Sequence, residues 1–392
     1  MNSYNLVIKP SFGTKFHNGQ NFIEPHSIGI SDGTIQSITA EDIEIHVTDD
    51  GKVLKLPSNA IIMPGIVDLH THFARNSFWG QGMNIDADAL RKGTILAVDA
   101  GSNGYLTFDD SDGMLSIIEK ENDEVCDSLG FINIASFGLK DEAAENDNLS
   151  SHSVANTIAF VEKYSNYITG IKIRLGWLQT IAETWKAALL MAKEVASKTN
   201  KPLMIHIAHG PDLGDILNVL DGFDQPIIIT HCFHGLEQGT ILRYTKEEWK
   251  RMRDEQRVLF DLGNGGGSYS YGTTQRALDA GFELFSVSTD LHKTSKPIQA
   301  QNMPHCMNKV ISQGIQLEDA IRMSTFNPAS AIGQSKAYGT LAVGRNADIT
   351  ILEEREFPDG YRMQDFQRYM WRAQRALVPT YVVKDGELIA CT

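Results

Sequence analysis

Long apolar runs are missing from this 392-residue chain; none approaches the roughly 20 residues that a membrane helix needs. The opening MNSYNLVIKPSFGTK has no basic stretch followed by an apolar one, so no secretory signal is expected. Cysteine is scarce. Cys126, Cys232, Cys306 and Cys391 form no CxxC pair, which excludes a disulfide scaffold and fits a reduced, cytoplasmic compartment. A basic footprint is also lacking: 49 acidic against 35 basic side chains leave a formal charge of −14. That balance argues against nucleic acid or an anionic membrane as partner. Acidic loops can still surround a basic pocket, so the charge of a substrate stays open. No repeat, low-complexity stretch or long charge run is evident. The expected partner is a small-molecule substrate, and a homo-oligomer is compatible with the sequence.

What is present is an ordinary globular composition, 42% hydrophobic and 21% charged, in a chain long enough for a barrel of about 250 residues plus a smaller module. The first 60 residues read as short strands, YNLVIKP, HSIGISDGTIQSITA and KVLKLPS, with SDG and DDG as turns. The end repeats that texture in GTLAVGRNADITIL and TYVVKDGELIA. Two β-rich ends suggest one small β-sandwich built from both termini (1–60 and 336–392), although unrelated capping strands would read the same way.

The middle, 61–335, alternates apolar runs with helical patterns, the mark of a parallel sheet with helices outside. Eight candidate strands are IIMPGIVDL, GTILAVDAG, LGFINIAS, ITGIKIRLG, PLMIHIA, PIIITHC, VLFDLG and LFSVSTD. Eight is the number that closes a (β/α)8 TIM barrel, an α/β fold. Helices are expected over QTIAETWKAALLMAKEVASK and KEEWKRMRDEQ, and over LEDAIRMSTFNPASAIG, ending near Asn327-Pro328.

Asp68-Leu69-His70-Thr71-His72 ends the first candidate strand. Histidines at i and i+2 of a strand share a face, so both imidazoles can grip one ion. An HxH alone is a weak signal, but here it stands at the C-terminal end of a barrel strand, where catalytic groups gather. Strand five ends in His206, strand six in His231 and strand eight in Asp290. Each alone reads as a satisfied core histidine or a capping Asp. Four His and one Asp at the same end of one barrel point instead to metal ligation.

Lys172 lies between isoleucines in Gly-Ile-Lys-Ile-Arg of strand four. Such a lysine is ordinarily a snorkelling surface residue. In a closed barrel it can point inward, where desolvation favours the neutral amine.

The pattern PGIVDLHTH, followed by Lys, His, His and Asp at successive strand ends, resembles the amidohydrolase superfamily in its dihydroorotase-like, carboxylated-lysine branch. The segments DADALRKGTILAVDAG, FINIASFGL, GIKIR, PLMIHI, ITHCFHG, FDLGNGGGSYSY and VSTDLH are similar to a bacterial deacetylase-like subgroup, over nearly the whole chain. Members of that subgroup are often labelled dihydroorotase or adenine deaminase, and their activities include esterase action on acetylated 2-hydroxy acids such as acetyl-mandelate.

The resemblance implies two divalent ions. His70, His72 and Asp290 would hold the more buried one and His206 and His231 the more exposed one, with carboxylated Lys172 and a hydroxide between them. Zinc suits the mixed donors, with manganese or iron as alternatives. Asp290 would carry the proton from the attacking hydroxide to the leaving group. The implied reaction is cleavage of an amide or ester bond in a small acylated amino or hydroxy acid. The alternative is a cyclic amidohydrolase of dihydroorotase or hydantoinase type, or an adenine-type deaminase. A non-enzymatic scaffold would be expected to have lost ligands, and none is lost here.

Substrate contacts are expected from Arg75, Arg174, Asn264, Ser268 and His292. Two loops depart from the subgroup: Asn264 stands where it usually has His, and Leu175-Gly176-Trp177 follows GIKIR. Ala74 occupies the place of an Arg in dihydroorotases, with Arg75 one step late, which argues against dihydroorotase activity. The glycine-rich run Gly263–Ser268 matches no phosphate loop and is expected to be a substrate loop. His209 and His234 read as loop residues and Cys232 as core.

Overall fold

A computed structural model describes all residues except 1–2, 42, 44–46, 78–79, 81, 122–125, 141–148, 177–183, 209, 238 and 298. Seven parallel strands form the central sheet: β1 (Ile66–Thr71), β2 (Thr94–Ala100), β3 (Asp127–Asn133), β4 (Ile168–Arg174), β5 (Leu203–His206), β6 (Ile227–Thr230) and β7 (Val258–Asp261). They are hydrogen-bonded in chain order from β1 to β7.

The expected eighth strand, LFSVSTD, is not a regular strand, yet it closes the sheet. Parallel bridges join Ser286 to Asp261 and Leu291 to Thr71. Leu262, Asn264 and Gly265 donate to the carbonyls of Ser286, Ser288 and Thr289, and Asp290 donates to His70. The ladder is irregular because a side chain replaces a backbone partner: Asp68 accepts the Thr289 N–H at 3.0 Å and its hydroxyl at 2.5 Å. The result is a (β/α)8 barrel.

IIMPGIVDL, expected as one strand, serves two sheets. Ala60–Pro64 pairs antiparallel with the long strand Ile349–Gln364 and parallel with Lys15–His17, and the chain enters the barrel only after Gly65. Its alternation serves both cores: Ile61 and Met63 pack into the barrel cluster, Ala60 and Ile62 into the sandwich cluster. The sandwich has a four-stranded sheet from residues 4–55 and a six-stranded sheet mixing 15–23 and 60–64 with the C-terminal strands Ile349–Gln364, Met370–Lys384 and Glu387–Ala390. Its core joins Ile8, Phe16, Ile28 and Ile30 to Ile349, Ile351 and Val383. Both termini therefore build one small β-sandwich beside the barrel.

The helix over KEEWKRMRDEQ spans Lys246–Gln256 behind a Thr245–Glu248 capping box, with Trp249 and Met252 buried. LEDAIRMSTFNPASAIG does not make the single helix expected. It breaks after Met323, and a second helix, Phe326–Ala331, contains Pro328. Proline is tolerated there because first-turn N–H groups have no intrahelical acceptor. None of the described helices is long and apolar enough to cross a membrane.

Candidate metal centre

On β4, Ile171 and Ile173 pack outward among the helices, so the strand's alternation turns Lys172 and Arg174 to the cavity at the barrel mouth. On β5, Leu203 and Ile205 face outward in the same way, leaving Met204 and His206 opposite Lys172 and Arg174. His231 and Asp290 follow their strands in left-handed backbone conformations, φ +68° and +49°. Such geometry at non-glycine residues is strained and concentrates at functional sites. It turns both side chains toward the end of β1, where His70 and His72 stand.

The cavity has a volume of about 320 Å³ and is lined by His70, His72, Lys172, His206, His231 and Asp290, with Arg174 and His292. Ala100 and Leu139 supply apolar wall. The His206 and His231 rings lie 4.2 Å apart, and those of His70 and His231 5.0 Å. Nε2 of His70 and of His72 approach Asp290 Oδ1 at 3.4 and 3.1 Å.

Partners on the far side of the rings fix which nitrogen faces the cavity. Gly263 O can only accept, so His231 Nδ1, 2.7 Å away, carries the proton and Nε2 keeps its lone pair. His70 Nδ1 lies 2.8 Å from the Thr230 hydroxyl, which donates to Asp261. His72 Nδ1 lies 2.7 Å from the Ser102 hydroxyl. Asp261 is fully buried and accepts from Thr230, Ser286 and Ser288 at 2.7–2.8 Å.

Burial pushes His70 and His206 well below the ordinary histidine range and His231 to about 4. Burial alone would raise Asp290, but the hydrogen bond from His72 and the neighbouring His231 hold it down at about 2. Neutral imidazoles beside an ionised carboxylate are the ligating forms of both groups. Ligand atoms of His70, His231 and Asp290 lie within 4.8 Å of one another, close enough to share one ion. A divalent metal therefore fits the donor set.

Lys172 is 4% exposed, with Nζ 3.3 Å from the Met204 thioether. Gly101, at φ +82°, makes room for it; a Cβ there would lie 2.5 Å from Lys172 Cβ.

Of the substrate contacts expected from sequence, Arg174 and His292 line the cavity, while Arg75, Asn264 and Ser268 are not among its lining residues. Arg75 is exposed. The Asn264 amide is buried and bonded to Lys309 and Gly265. In the glycine-rich run it is Gly266 and Gly267 that reach the wall. Cys232 is fully buried, as is His234, whose Nε2 meets Gly239 O at 3.3 Å. His209 and Trp177 lie outside the described residues. Sequence reasoning missed Thr230, Asp261, Ser102 and Lys309. The hydroxyl directly before His231 and the carboxylate ending VLFD were signals for the first two.

The Amidohydrolase family model matches residues 271–389, a stretch that takes in Asp290 but not the four histidines. A deacetylase of Brucella anthropi is 28% identical, over 94% of this chain and 92% of its own length. The chain is thus similar to the amidohydrolase family over that stretch and to a deacetylase over nearly its whole length, and it is a hydrolase. Among solved structures, a dihydroorotase superposes with a TM-score of 0.81 at 23% identity, covering 99% of this chain and 98% of its own. An adenine deaminase superposes with a TM-score of 0.81 at 22% identity, covering 99% and 100%. At those identities the two likenesses speak for the fold and not for the substrate.

Proposed function

We propose that this hydrolase cleaves the amide or ester bond of a small acylated amino or hydroxy acid at a binuclear divalent-metal site. The observation that carries the reading is the convergence of His70, His72, His206, His231, Asp290 and Lys172 on one small cavity that also holds Arg174. His70, His72 and Asp290 would hold one ion, His206 and His231 the other, and Lys172, as its carbamate, both. When bound, such ions, zinc best suiting the donors, lower the pKa of water toward neutrality and polarise the scissile carbonyl.

The chain's own groups do the rest. Asp290 takes a proton from the attacking water at Oδ1 and returns it to the leaving nitrogen or oxygen. Arg174, two residues beyond Lys172 on the same face of β4, offers a fixed fork of donors to the substrate carboxylate. Ala100 and Leu139 supply apolar surface for the acyl group. A cavity of about 320 Å³ suits a small substrate.

The test is a screen of metal-reconstituted enzyme on N-acyl amino acids and O-acyl hydroxy acids, both enantiomers, beside cyclic amides and adenine. Turnover confined to cyclic amides or adenine would replace this reading with a cyclic amidohydrolase or a deaminase.

A further inference from the structure

Lys309 lies on the helix Met303–Ser312, outside the ligand set, and is fully buried. A buried ammonium persists only where its protons are taken up. Nζ donates to Asn264 Oδ1 at 2.9 Å and to Gln299 O at 2.7 Å, and sits 4.9 Å from the Tyr269 ring centroid. Burial pulls the amine down to about 8, so it is still mostly charged at neutral pH.

Asn264 is the one residue of Gly263–Gly267 with a side chain beyond hydrogen. Four glycines give this segment a large conformational entropy to lose, and beyond the backbone bonds of Gly263, Asn264 and Gly265 to Ser288 and Thr289 only the Asn264 side chain is available to anchor it. The Asn264 amide is held from both ends: Oδ1 accepts from Lys309 while Nδ2 donates to Gly265 O at 3.1 Å. The backbone so held touches two groups of the site. Gly263 O accepts from His231 Nδ1. Gly265, at φ +55°, passes so close to Asp290 that a Cβ there would meet Oδ2 at 2.4 Å. The C-terminal hairpin braces the far side, where Asp365 accepts the Tyr271 N–H at 3.0 Å and its carbonyl lies 3.5 Å from Gln299 Nε2.

We propose that Lys309 is a positioning residue: through Asn264 it locks Gly263–Gly267 against His231 and Asp290. The proposal rests on the reading that His231 and Asp290 serve the hydrolysis. Lys309 itself is not among the residues that line the cavity.

The test compares Lys309→Met, Asn264→Ala and the double variant of the full chain by hydrogen exchange and by steady-state kinetics at equal metal content. Each single variant should speed amide exchange in peptides spanning 262–268 while leaving those of β4 and β5 at wild-type rates. Turnover should fall roughly 10- to 100-fold with KM changed far less, as expected when a reacting geometry loosens. The double variant should be no slower than the slower single, because both remove one connection.

Wild-type turnover in either folded single, effects that multiply in the double, or exchange raised throughout the barrel would overturn the proposal. If Lys309→Met does not fold, Asn264→Ala decides alone: local exchange with slowed turnover supports the lock, and wild-type values refute it. Should the wild-type protein hydrolyse no acylated acid, the functional reading fails, while local exchange in the variants still decides whether the lock exists.

Discussion

His70 Nδ1 and Asp261 Oδ2 lie 4.0 Å apart with the Thr230 hydroxyl between them, 2.8 Å from each. An ionised Asp261 can only accept, so Thr230 donates to it and has only lone pairs left for His70. The ring must then carry its proton on Nδ1, leaving Nε2 free for a metal. Thr230→Val keeps the shape and removes the relay. Metal affinity is expected to fall roughly 10- to 100-fold, the usual cost of losing a partner behind a ligand. Competition with a chelator of known affinity measures this; unchanged affinity would show that the tautomer is set elsewhere.

About two divalent ions per chain are expected, with metal badly depleted in His206→Ala. Prolonged dialysis against chelator should abolish turnover, and added zinc should restore it. Elemental analysis giving one ion per active chain, with His206→Ala indistinguishable from wild type, rules out the binuclear site.

Asp290→Asn keeps the volume of the side chain but loses its capacity to take a proton. Turnover should drop about 10²-fold or more while the fold survives. Metal has to be counted in the same sample, since Asp290 is also a candidate ligand. Near-normal turnover at full metal content would mean that another group moves the proton.

Lys172→Ala should lose both metal and activity, and acetate or propionate at high concentration should restore part of each by entering the vacated space. Lys172→Arg should not recover, because a guanidinium cannot form a carbamate or bridge cations. Mass spectrometry in acid is a poor witness because carbamates fall apart there, so electron density at Lys172 Nζ is the direct check. An unmodified amine turned away from two occupied metals would exclude the bridge.

His305, fully buried against Tyr361, has its pKa pushed down by burial to about 3 from the ordinary 6.5. The unfolded chain therefore binds the proton more readily, and stability drains away as pH falls from 6.5 toward 3. Between pH 7.5 and 5.5 this one group should cost the fold about 1 kcal/mol. His305→Gln should shrink the difference in urea midpoint between those two pH values. A difference as large as in the wild type would assign it to other groups.

Much of this protein could be read from local pattern. Short apolar runs laid out the barrel strands, and His70, His72, His206, His231 and Asp290 stood at their ends as residues costly to bury, whereas the role of Lys172 came from the family resemblance. Isoleucines on both sides of Lys172 already implied that it faces away from them. The face on which each lies is legible because alternation along a strand is set by neighbours in sequence. What pattern could not reach is every relation between strands. That IIMPGIVDL divides at Gly65 between two sheets depends on its pairing with Ile349–Gln364, nearly 300 residues away. That Asn264 turns to Lys309 rather than to the cavity depends on a helix 45 positions later. The tautomers of His70 and His231 depend on Thr230 and on a carbonyl of the next strand. Sequence by itself determined which side chains could ligate and on which face of each strand they lie. Only the tertiary structure decided how they are oriented and held, because hydrogen bonds across a closed barrel join residues whose separation along the chain carries no periodic signal.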